Sequence, residues 1–145
     1  MILVIKVNKM KLHDEEFVRP VTDLLDDFKV VDYKKIKKED LDKAKKVVIC
    51  GTALKDNDYL ENLDKFFWLK DFKKPVLGIC AGMQIIGKIL GKTLVKSKRI
   101  GVFDGKYFLH SFMINGCKDK LKEDNFTGYL YHPEVLNKEV LISFK

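Results

Sequence analysis

Two short stretches of the chain carry residue types suited to nucleophilic catalysis. In the first, Gly78-Ile-Cys-Ala-Gly82, a cysteine lies between two glycines. The apolar run Pro75–Ile79 precedes it, and a helical set, Met83, Ile86, Ile89 and Leu90, follows. A strand entering such a turn and a helix leaving it make a nucleophile elbow, with cysteine where serine stands in the α/β-hydrolases. The central residue occupies a strained turn that lifts its side chain above the sheet edge, and Gly78 and Gly82 leave room for neighbouring backbone. The helix N-terminus points at the thiol, favouring thiolate and offering N–H groups to an oxyanion. The bland reading of Cys80 is a buried small hydrophobe between two convenient glycines.

A thiol nucleophile needs a base, and the chain holds three histidines, His13, His110 and His132. His132 stands in Tyr131-His-Pro-Glu134. Glu134 is close enough to hold the imidazole in one tautomer, as the third member of a triad does. Three cysteines, Cys50, Cys80 and Cys117, form no CxxC pair. That count argues against a disulfide framework or a zinc site, and no cofactor or metal is called for.

These residues need a scaffold, and the hydrophobic pattern supplies one. Residues 1–7 read as a buried strand. From Asp14, Phe17, Val18, Val21, Leu24, Leu25 and Phe28 recur at helical spacing, with Pro20 either beginning the main helix or kinking it. A short strand near Lys29–Asp32 and a charged helix from Lys38 follow. Val47–Gly51 is a second apolar run, and Leu60, Leu63, Phe66 and Phe67 are again helically spaced. Near-continuous apolar strands separated by helices indicate a parallel sheet covered on both faces. Beyond Gly91, the pieces Lys92–Lys96, Ile100–Phe103 and Tyr107–Ile114 are punctuated by Asp104-Gly105 and Asn115-Gly116, which suit hairpins. The whole reads as one α/β domain, residues 1–145, with a small antiparallel appendage.

Gly78-Ile-Cys-Ala-Gly-Met-Gln84 together with Tyr131-His-Pro-Glu134 resembles the class I, triad-type glutamine amidotransferase family. The resemblance implies a flavodoxin-like three-layer sandwich with a mainly parallel sheet, and L-glutamine as substrate. It assigns the triad roles to Cys80, His132 and Glu134. It implies an oxyanion hole from the N–H of Ala81 with that of Gly51 or Thr52, and a substrate-side role for Gln84. Leu109-His-Ser-Phe112 is similar to a His-Ser-Tyr segment whose backbone lines the glutamine pocket in the glutaminase subunit of imidazole glycerol phosphate synthase. That puts His110, Ser111 and Phe112 beside the substrate; the alternative for His110 is a strand histidine facing water. The family implies delivery of ammonia to a separate synthetase, since no P-loop or acceptor domain is present. Two departures stand out. Cys50-Gly-Thr52 replaces the common Gly-Gly-Pro, and His132 follows Cys80 by only 52 residues, so the pocket is trimmed.

Two other readings compete. The DJ-1/PfpI thiol hydrolases share an elbow cysteine, but they place histidine where this chain has Ala81 and lack a late His-Pro-Glu. A regulatory module of weak activity that keeps the fold is the other. Among 145 residues, 46% are hydrophobic and 34% charged, as in soluble globular proteins. No apolar run spans a bilayer and the amino end does not read as a signal peptide, so the expected compartment is the cytoplasm. The net charge of +7 is carried almost wholly by scattered lysines, a pattern that argues against nucleic acid as a partner.

Overall fold

The structure is a computed structural model that describes residues 1–91 in full and the backbone of 111–114. Among the described residues, five strands form one sheet in the order β2-β1-β3-β4-β5. They are β1 (Ile2–Lys6), β2 (Phe28–Asp32), β3 (Lys46–Ile49), β4 (Val76–Ile79) and β5 (Ser111–Ile114). β1 pairs in parallel with β2 and β3, β3 pairs in parallel with β4, and β5 pairs antiparallel with β4. The antiparallel segment anticipated beyond Gly91 thus joins the main sheet, over Ser111–Ile114. The order 2-1-3-4 is that of flavodoxin-like sheets.

Alternation along the central strands sends side chains to both faces. Leu3, Ile5, Val47 and Ile49 enter one apolar cluster, and Val4, Val48, Leu77 and Ile79 enter another. The second cluster is completed by Val18, Val21 and Leu25 from the segment holding two one-turn helices, α1 (Asp14–Phe17) and α2 (Arg19–Thr22). The first is completed by Tyr33, Phe66, Ile85 and Ile86. These come from the connections around α3 (Lys38–Lys43) and α4 (Asp58–Glu61), the 3-10 helix Leu63–Lys70, and α5 (Ala81–Ile89). Fully buried Phe66 stacks on Tyr33 with ring centroids 5.4 Å apart. Helices cover both faces of the sheet, which gives three layers.

Two helices depart from the pattern expected of them. The helix expected from Asp14 breaks between Phe17 and Arg19, and Pro20 falls in the first turn of α2, where a missing N–H costs nothing. The Leu60–Phe67 series is divided at Asn62 into α4 and the 3-10 helix.

Candidate functional site

The loops after β1, β3 and β4 meet at the carboxyl ends of the parallel strands, where open α/β sheets bind their ligands. β4 enters with all four residues buried, and α5 leaves from Ala81. Cys80 joins them with φ 51° and ψ −107°, the one non-glycine residue at positive φ among those described. Such a conformation costs an L-residue about 1–3 kcal/mol and persists only where its surroundings impose it.

Here two bare stretches of backbone impose it. A Cβ on Gly82 would collide with the Ile49 carbonyl oxygen, and one on Gly78 would lie 2.6 Å from the Gly82 carbonyl. Strand β4, helix α5 and strand β3 therefore approach closely enough to force the turn at Cys80. The glycine spacing in the sequence has this packing as its physical basis.

The thiol is partly buried. Burial pushes its pKa above the ordinary value of 9.0, and the Ala81 N–H opposes that rise without cancelling it. The helix start thus acts in the expected direction, but desolvation wins, and the resting form is the thiol. Activation requires a proton acceptor brought to Cys80.

Beside it runs the segment after β3, in which Cys50, Gly51 and Thr52 are all buried. A Cβ on Gly51 would stand 3.3 Å from the Cys80 Cβ and 3.5 Å from the Phe17 ring, so this backbone lies directly against the elbow. Cys50 is fully buried, and burial, with a smaller contribution from Asp14, pushes its thiol up to about 12. It is an inert packing residue. The Thr52 hydroxyl donates to Asp56 Oδ2 over 2.9 Å, and the same oxygen accepts the Lys9 backbone N–H at 2.8 Å. The loops after β1 and β3 are thereby tied together. Between them opens a cleft of about 450 Å³ whose walls include Lys9, Met10, His13, Ala53 and Asp58; Cys80 is not in its wall.

Gln84 lies one turn into α5, its backbone N–H reaching the Cys80 carbonyl at 3.2 Å. Its side-chain oxygen accepts a 2.6 Å hydrogen bond from the Tyr59 hydroxyl. Tyr59 is buried on α4. Burial, reinforced by Cys80 and Asp56, pushes its phenol up to about 12, so it stays a donor. Sequence reasoning missed Tyr59 and Asp56; neither belongs to a motif, though both fall within ten residues of the β3 terminus.

β5 brings Ser111 opposite Ile79 and Phe112 opposite Gly78, so that backbone runs beside the elbow. His110, His132 and Glu134 lie outside the described residues. Among the described residues, no group of three His, Cys, Asp or Glu side chains could hold a metal, and no helix is long and apolar enough to cross a membrane.

Comparison with known proteins agrees with this arrangement. Residues 15–144 match the model of the glutamine amidotransferase class-I family. Imidazole glycerol phosphate synthase subunit HisH 2 of Campylobacter jejuni is 28% identical over 155 aligned positions, covering 72% of this chain and 80% of its own. Gamma-glutamyl peptidase 4 of Arabidopsis thaliana is 36% identical over 78 positions, 51% of this chain and 31% of that protein. Among solved structures, a Thermoplasma acidophilum protein assigned as one of the subunits of GMP synthase superposes with a TM-score of 0.53 at 29% identity, over 68% of this chain. This chain spans half of that one. With a family match running from residue 15 to residue 144 over a sheet of the same class, the chain belongs to the class-I glutamine amidotransferase family.

Proposed function

We propose that the protein is a glutaminase subunit that cleaves the side-chain amide of L-glutamine with Cys80 and passes ammonia to a separate synthetase. The observation that carries this reading is the forced positive φ of Cys80 at the β4–α5 junction, with the Gly51 backbone packed against it.

In this reading His132, oriented by Glu134, takes the thiol proton that burial otherwise retains. The thiolate attacks the amide carbon, and the N–H of Ala81 with that of Gly51 or Thr52 receives the oxyanion. Collapse expels ammonia as His132 returns the proton, leaving a γ-glutamyl thioester. Water, deprotonated by His132, attacks the thioester, and glutamate and free Cys80 result. Gln84 and the backbone of His110, Ser111 and Phe112 border the substrate. The reaction needs neither metal nor cofactor. The chain acts as one cytoplasmic domain, and the naming of two relatives as synthase subunits supports a partner that uses the ammonia.

Incubation with a glutamine-analogue electrophile tests the proposal, with mass spectrometry to locate the adduct. We expect labelling at Cys80 and its loss in Cys80→Ala. Absence of both labelling and glutamate release, with candidate synthetases present, would sink it. A second reading, hydrolysis of γ-glutamyl peptides, is favoured by the likeness to gamma-glutamyl peptidase 4 and uses the same acyl-enzyme with an amine leaving group. Glutamate release from a γ-glutamyl dipeptide, at a rate exceeding that from glutamine, would select it. The DJ-1/PfpI reading has less support, since Ala81 occupies the position where that group carries histidine.

A further inference from the structure

The Tyr59 hydroxyl is 2.6 Å from Gln84 Oε1, and it reaches α5 from the helix immediately after the loop that packs on Cys80. A buried O–H that donates to nothing is costly, so the phenol gives its proton to the amide oxygen. That contact fixes which end of the Gln84 amide faces Tyr59. The NH2 end is turned away from it and can donate to an acceptor oxygen of a bound molecule. Gln84 itself is held one helical turn from the elbow by its backbone bond to the Cys80 carbonyl.

From this geometry we infer that Tyr59 is a positioning residue for substrate: it locks the Gln84 amide so that its NH2 donates to a carbonyl or carboxylate oxygen of a γ-glutamyl compound. The inference rests on the proposed function, because it takes the ligand of that same site. Tyr59 touches no reacting atom, and its effect passes wholly through Gln84. Burial, with the Asp56 carboxylate nearby, keeps the phenol protonated and in the donor role throughout the neutral range.

The test is a double-mutant cycle on binding, read by calorimetry with L-glutamine and with a γ-glutamyl dipeptide. It uses the full chain carrying Cys80→Ser to prevent turnover. Tyr59→Phe removes only the hydroxyl, and it should weaken binding about tenfold, the usual worth of one hydrogen bond of this kind. Gln84→Ala should weaken it at least as much. Adding Tyr59→Phe to Gln84→Ala should then change nothing further, since the residue through which Tyr59 acts is gone. Unchanged affinity in Tyr59→Phe, or a full tenfold loss in both backgrounds, overturns the inference while leaving the proposed function intact. If Tyr59→Phe lowers thermal stability, Gln84→Glu answers the question instead. Its carboxylate still accepts from Tyr59 but has no N–H, so retained affinity overturns the inference and lost affinity supports it. Failure of the Tyr59- and Gln84-containing protein to bind either ligand overturns the proposed function, and the inference with it.

Discussion

Cys80 is held at a φ that burdens any side chain carrying a β-carbon, so replacements at this position separate strain from chemistry. Cys80→Gly should be more stable than Cys80→Ala by about 1 kcal/mol in urea denaturation, while both lose labelling by the glutamine analogue. Equal stability would place the strain elsewhere. The raised thiol pKa makes a second expectation. Deprotonation works against the fold when the folded-state pKa exceeds the unfolded one. The contribution of Cys80 to stability is therefore complete below pH 9 and falls as pH rises through the raised value. Alkylation by a neutral reagent should accelerate with pH beyond 9 if no base has reached the thiol. A reactivity step near neutral pH that vanishes in His132→Ala would instead be the signature of a paired base. Cys50, fully buried, should remain unlabelled in native protein under either condition.

At the scale of elements, the approach of α5 to the sheet is the tightest constraint. Gly82→Ala drives a methyl group into the Ile49 carbonyl and should cost about 3 kcal/mol, measured by thermal or urea unfolding. Asp14 plays a similar part at the end of β1, accepting from Asn8 at 2.7 Å and Lys6 at 2.9 Å. Burial alone would raise its pKa, but those hydrogen bonds outweigh it and the carboxyl is held low. Its contribution is thus complete above the ordinary carboxylate range and lost as pH falls through the lowered value. Asp14→Asn should cost about 1–2 kcal/mol near neutrality and flatten the acid limb of the stability profile. Much of this layer is legible in the sequence. β1, β3, β4 and α5 follow from continuous apolar runs and three- and four-residue spacings, because burial on both faces leaves few polar positions. What escapes is set by contacts distant in sequence. The division of the Leu60–Phe67 series at Asn62, the Tyr59–Gln84 bond and the pairing of β5 with β4 each depend on a partner that periodicity cannot name. The elbow itself was legible because strand, glycine, cysteine and helix are contiguous. The balance of its electrostatics was not, since desolvation depends on the loop after β3.

Over the whole molecule, 28 lysines and arginines face 21 aspartates and glutamates, giving +7. Like charges at this density oppose compaction, and salt screens them. Raising sodium chloride from about 20 to about 200 mM shortens the Debye length to under about 10 Å and should raise the melting temperature by about 2 °C. A fall would mean that paired charges, such as Lys29 with Asp40 and Lys34 with Asp58, outweigh the repulsion. The molecule is also tied together across long stretches of chain by single groups. Asp56 accepts the main-chain N–H of Lys9, 47 residues away in sequence, as well as the Thr52 hydroxyl. Because this bond takes only the backbone N–H of residue 9, any residue but proline could make it. Residue 56 has no such licence. A survey of natural or selected variants should find proline missing from position 9 and the carboxylate at position 56 nearly invariant.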